Sequence, residues 1–187
     1  MGLLGHSFGG SVGLGAIQGD CFPLLCTTEF TRPEELKAGI FYGTRFGSQD
    51  PNSPAPPIFN QGIPTGLIAG TLDGVISPEK VQESYKQIQD PPKVLLNVLG
   101  ANHYGITNED NQRDQTRPSL SQEVATETIA RWSALFLRAH LQGDEGAFDY
   151  VYRTGEQRDE NVTVISAEVP EPSTMGGVFL FGIGLAV

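Results

Sequence analysis

Three residue types that together perform nucleophilic acyl chemistry occur in this chain in the order Ser7, Asp73, His103. A serine alcohol is a poor nucleophile at neutral pH. It becomes a good one when an imidazole takes its proton and a carboxylate holds that imidazole in the right tautomer. Ser7 lies in Gly5-His6-Ser7-Phe8-Gly9, which fits G-x-S-x-G, the sharp strand-to-helix turn that exposes a serine. Asp73 lies in "GTLDG" and His103 in "LGANHYG", each just past an apolar run that reads as a strand. Asp-Gly is also a common turn pair, and G-x-S-x-G alone says little in a chain with 23 glycines. The signal is the ordered set. An oxyanion formed on the substrate would need two backbone N–H donors, one of them expected from Phe8. Of the other two histidines, His6 reads as a packed residue of the turn and His140, in "LRAHLQ", as a helix-surface residue. Asp20 and Asp50 are the other candidate acids, but no suitable strand precedes either.

These groups meet only if the chain brings strand ends together. Leu3-Leu4 reads as a strand stub, followed by a helix in "FGGSVGLGAIQ" whose Gly9, Gly10, Gly13 and Gly15 let it pack close. "RPEELK" reads as a turn or short helix, residues 38–44 as a buried strand, and the proline-rich stretch 47–64 as a loop without a helical lid. A strand is expected at 65–70. A helix should follow Ser77, with Pro78 at its first position and Glu79 in its first turn. Residues 93–100 form a further expected strand, and 119–142 the longest helix, with Val124, Ile129, Trp132, Leu135 and Phe136 on its apolar side. Strands separated by helices or long crossovers predict an α/β fold with a parallel sheet, whose functional side chains gather at strand C-terminal ends.

The bulk composition is compatible with this reading. The 187 residues suffice for one domain, 39% of them hydrophobic and 18% charged. A formal net charge of −10 with no Lys/Arg cluster argues against nucleic-acid binding. Cys21 and Cys26 could close a small disulfide loop or stand as two thiols on an apolar turn. No metal-ligand quartet accompanies them, and neither a metal nor an organic cofactor is implied. No N-terminal signal peptide is visible. The C-terminal "MGGVFLFGIGLAV" is free of charge but has only 13 residues, where a membrane-spanning helix needs roughly 20.

"GHSFGG", "GTLDGVISP" and "GANHYGITN" together resemble the α/β-hydrolase superfamily, within it the dienelactone-hydrolase, chlorophyllase and polyester-hydrolase lineages. The likeness spans roughly residues 3–142. Dienelactone hydrolases proper carry Cys where this chain has Ser7, so the resemblance implies the serine-esterase version: Ser7 nucleophile, His103 base, Asp73 orienting acid, and a carboxylic ester as substrate, small or polymeric. It also implies that residues 1–155 are the C-terminal half of such a domain. The sheet would then hold strands equivalent to the family's fifth to eighth, and strands one to four and the upstream oxyanion loop would be lacking. The chain alone would then be a doubtful enzyme.

The tail carries a second resemblance. "VPEPST" (169–174) before an apolar segment is similar to the PEP-CTERM sorting signal of exported bacterial proteins, here without its basic cluster. It implies an exported or cell-surface parent protein, processing by an exosortase-type enzyme, and membrane association through 169–187. Residues 156–168 then read as a polar linker, with a strand at 162–165 as an option within it. A catalytically inactive hydrolase remnant acting as a surface protein, and a peptidase of the same fold, stay open as alternatives.

Overall fold

Strands covered on both faces are apolar throughout, and the central strands here are of that kind. The computed structural model describes residues 1–20, 30–47 and 53–168. Five strands lie side by side in chain order: β1 (Gly2–His6), β2 (Ala38–Tyr42), β3 (Thr65–Gly70), β4 (Lys93–Val98) and β5 (Val162–Ala167). The first four run parallel, and β5 returns antiparallel to β4. Every residue of β2 and β3 is buried.

Side-chain alternation divides these strands between two apolar layers. Phe41, Leu67, Ala69 and Leu95 point to one face, where they meet Leu14 and Ile17 of α1 (Phe8–Gln18) and Val81 and Tyr85 of α2 (Pro78–Gln87). Ile40, Tyr42, Ile68, Val94 and Leu96 point to the other, where α3 (Gln122–Gln142) supplies Ile129, Trp132 and Phe136. The chain is thus an α/β fold with helices on both faces of a mostly parallel sheet.

Most expected elements appear, with shifted ends. β2 stops at Tyr42 because Gly43 takes a left-handed φ of 55°. Ser77 and Pro78 open α2 as expected, and it closes at Gln87, ahead of Pro91 and Pro92. α3 starts at Gln122 rather than 119. The amides of Ser119 and Leu120 donate to the Gly100 carbonyl, and the Ser121 side chain caps the helix by accepting from Val124 N. That phase leaves Val124 exposed, correcting its expected place on the apolar side, and buries Ala125, Thr128 and Ser133 instead. The described part of the proline-rich loop contributes to the core: Ile58 is fully buried and bridges Gln87 and Gln89.

The segment 156–168, expected as a polar linker with a strand at 162–165 as an option, does carry that strand. Its second half is β5, paired with β4 along its whole length, with Val162 buried in the α3 layer. Its first half carries Asp159, which is 5% exposed and accepts from Trp132 Nε1 at 2.7 Å and Arg131 Nη2 at 2.8 Å. A buried carboxylate needs such donors, and here they anchor the return strand to α3. Cys21, Cys26, Asp50 and the 169–187 tail lie outside the described residues. Among the described residues no helix is long and apolar enough to cross a membrane, and no group of three or more His, Cys, Asp or Glu side chains is placed to hold a metal ion.

Candidate active site

The turn between β1 and α1 holds Ser7 at φ 54°, ψ −125°, a backbone conformation that costs a non-glycine residue on the order of 1–3 kcal/mol. Neighbouring bonds enforce it. Ser7 N donates to the Tyr42 carbonyl at 2.9 Å, and the Ser7 carbonyl accepts from Gly10 N at 2.9 Å and from Thr44 Oγ1 at 2.9 Å. Two glycines make room for the turn. A Cβ on Gly5 would lie 2.9 Å from the Gly9 backbone, and one on Gly10 would lie 2.7 Å from Thr44 Cβ.

Gly9, by contrast, has open space where its Cβ would stand, so it is not among the residues that let the helix pack close. Gly9→Ala is therefore expected to hold stability or raise it by up to about 1 kcal/mol through helix propensity. Gly10→Ala should lower it by about 1–3 kcal/mol through overpacking against Thr44. Urea denaturation of the two variants checks the contrast, and equal midpoints would contradict it.

Asp73 and His103 lie in the turns that follow β3 and β4, and parallel pairing brings both turns to the same end of the sheet, past the strand C-termini, as the Ser7 turn. His103 Nε2 is 2.9 Å from Ser7 Oγ, and His103 Nδ1 is 2.8 Å from Asp73 Oδ2. Since a carboxylate only accepts, Nδ1 carries the proton and Nε2 is left to accept from the Ser7 hydroxyl. The other Asp73 oxygen, Oδ1, accepts from Val75 N at 2.9 Å and Ile76 N at 2.7 Å. The carboxylate is thus locked by its own turn. The Asp73 and His103 side chains are 0% and 3% exposed, so their bond is shielded from competing water. Ser7 is only half-buried.

Four further residues shape this geometry. Gly43 sits directly over the acid–base pair: a Cβ there would stand 3.0 Å from both Asp73 Oδ2 and His103 Nδ1. The Tyr42 hydroxyl donates to the Asn102 carbonyl, and burial pushes its phenol far up in pKa, with Asp73 and Asp114 adding to the effect. His6 Nε2 donates to the His103 carbonyl at 2.8 Å, with the two rings 4.6 Å apart. Burial, and then the neighbouring His103, hold His6 below its ordinary pKa. Asp114, fully buried, accepts from the His103 amide at 2.9 Å. Gly43 falls inside the strand expected at 38–44, and neither it nor Asp114 lies in a motif that marks it as part of the site.

The remaining sequence candidates fall elsewhere. Phe8 is the first residue of α1, its side chain about half exposed. Asp20 lies beyond the far end of α1, where it accepts from Gln18 Nε2. His140, expected on a helix surface, is half-buried: its Nε2 is 2.9 Å from the Tyr152 hydroxyl, and its ring packs on Phe136 and Phe148. The cause is the turn after α3, where α4 (Glu145–Asp149) and the π-helical turn Tyr150–Thr154 fold back over it.

Burial pushes the His140 imidazole from 6.5 down to about 4. The unfolded chain then binds more protons than the native one between those values. Stability contributed by neutral His140 is full above about pH 6.5 and drains away as pH falls through 4. The urea midpoint should fall over that interval, and less steeply in His140→Gln, which retains a hydrogen-bonding group but does not titrate. Parallel pH profiles for the two proteins would contradict the assignment.

No family model matches the sequence, and a search of curated proteins finds no match to it.

Proposed function

We propose that this chain is a serine hydrolase of the α/β-hydrolase type acting on carboxylic esters. The observation that carries the proposal is the continuous hydrogen-bonded line from Ser7 through His103 to Asp73, at 2.9 and 2.8 Å, just past the C-terminal ends of the parallel strands β1, β4 and β3. In the proposed cycle Ser7 Oγ attacks the ester carbonyl carbon while His103 Nε2 takes its proton. The tetrahedral intermediate collapses, the C–O bond to the alcohol breaks, and Nε2 returns the proton to the departing oxygen. Water, deprotonated by the same nitrogen, then attacks the acyl carbon, the bond to Ser7 Oγ breaks, and Nε2 returns the proton to Oγ as the acid leaves. Asp73 keeps Nδ1 protonated and steadies the imidazolium at each step.

The Phe8 amide, at the start of α1, is the oxyanion donor that the resemblance supplies. Phe8 and Val75 are chain neighbours of the site residues and about half exposed. Their apolar surface suits an ester with an apolar acyl or alcohol part. Export, exosortase processing and membrane association rest on the resemblance of "VPEPST" and the apolar tail alone.

The test is hydrolysis of a nitrophenyl ester by the purified chain beside the matching anilide. The reading expects the ester to be turned over well above the Ser7→Ala background and the anilide to lag far behind. Preference for the anilide would replace esterase with peptidase. Ester turnover equal to that of Ser7→Ala would remove the hydrolase reading.

A further inference from the structure

Asp114 lies outside the Ser7–His103–Asp73 line, yet it touches the backbone of both loops that carry the acid and the base. It is fully buried. Its Oδ2 accepts from His103 N at 2.9 Å and from Gly74 N at 3.2 Å, and its Oδ1 accepts from Thr116 N at 2.8 Å. One oxygen therefore bonds the peptide amide of the base itself and the amide next after the acid. The backbone amides at 74 and 103 thus share a single acceptor atom.

A purely solvating carboxylate would face water or a cation. This one faces three backbone N–H groups, and no ion pair reaches it among the described residues. Removing a charged group from water is costly unless hydrogen bonds replace the water, and here those bonds come from the two site loops and its own turn. The fit is close. A Cβ on Gly74 would lie 2.6 Å from Asp114 Oδ1 and 2.4 Å from Thr116 Oγ1, so the acid loop meets the Asp114–Thr116 turn at glycine distance. The His103 carbonyl is held from the opposite side by His6 Nε2 at 2.8 Å. Both polar groups of the His103 peptide backbone are thus fixed by side chains, one from the loop that follows it and one from the far end of the chain.

We propose that Asp114 is a positioning residue for the acid–base pair. By accepting both amides on one oxygen, it sets the separation of the Asp73 and His103 loops and with it the Nδ1–Oδ2 bond. The inference deepens the hydrolase reading and rests on it for its catalytic consequence. Asparagine would keep both loop amides on its one oxygen and turn its NH₂ toward Thr116 N, whereas alanine removes the shared acceptor. In Asp114→Ala the loops should drift apart by a fraction of an ångström, and misplacement on the scale of 1 Å costs an enzyme on the order of 100-fold.

The test compares wild type with Asp114→Ala by two readouts. The first is the downfield proton NMR resonance of His103 Nδ1–H, a signature of its bond to Asp73 that overall stability does not set. It should be present in wild type and broadened or moved upfield in Asp114→Ala while the circular dichroism stays native. The second is the rate of fluorophosphonate labelling of Ser7, which should fall roughly 10- to 100-fold. A folded Asp114→Ala protein with the wild-type resonance and labelling rate overturns the inference. If the variant fails to fold, the wild type decides the matter. A scalar coupling across the hydrogen bond from His103 N or Gly74 N to Asp114 Cγ supports it, and its absence from both overturns it. A wild type labelled no faster than Ser7→Ala sinks the hydrolase reading instead, and the Nδ1–H comparison still tests the positioning role.

Discussion

Ser7→Ala is expected to lower ester turnover by on the order of 10⁴-fold or more, because it removes the only atom that bonds covalently to the acyl group. It should do so without unfolding the chain. The bonds that hold the turn are made by the Ser7 backbone and by Thr44, and an alanine leaves them in place. Ser7→Gly sharpens the point. At φ 54°, ψ −125° glycine sits in the mirror image of an extended conformation and is unstrained. That variant should be as inactive as Ser7→Ala and more stable than wild type by about 1 kcal/mol. A protein that loses activity while gaining stability is what a strained nucleophile turn predicts. Initial rates on the nitrophenyl ester, with urea midpoints for all three proteins, measure both effects. A Ser7→Gly protein less stable than wild type would contradict the strain argument.

Asp73→Asn should cost about 10⁴-fold in kcat/KM for a different reason. Oδ1 accepts two amides of its own turn, from Val75 and Ile76, so the asparagine oxygen is drawn to that position and the NH₂ is turned toward His103 Nδ1. The opposite rotamer would set NH₂ against two N–H donors. Facing a donor, Nδ1 must become the acceptor. The proton moves to Nε2, which can then no longer accept from the Ser7 hydroxyl. The imidazole stays in place with the wrong tautomer. Nitrogen-15 shifts of the His103 ring report this directly, and kcat/KM reports the consequence. A wild-type tautomer in Asp73→Asn would show that the carboxylate does not orient the base.

The site was legible in sequence where local pattern and chain order suffice. Ser7 stood in a turn motif, Asp73 and His103 followed apolar runs, and the parallel run β1-β2-β3-β4 brings those positions to one end of the sheet. The strands were legible because both faces of the sheet are buried, which writes β2 and β3 as unbroken apolar runs. The rest depended on contacts between distant segments. Gly9 and Gly10 look alike in the sequence, and only the approach of Thr44 separates them. Asp114 lies in "DNQRDQTRPS", a stretch whose composition says loop, and nothing local shows that its carboxylate meets amides at 74 and 103. β5 is an edge strand with only partial burial, so its alternation is weak against the polar, acidic residues before it. His140 has the sequence setting of a surface residue, and its burial comes from the segment after α3 folding back.

The most direct test of the account is labelling of the full chain with a fluorophosphonate, followed by mass spectrometry of the modified peptide. The probe reacts with a serine whose proton is taken by a neighbouring base, and it needs no knowledge of the natural ester. The account predicts a single adduct on Ser7, lost in Ser7→Ala and strongly slowed in Asp73→Asn. An unlabelled chain, or an adduct on any other residue, would contradict it.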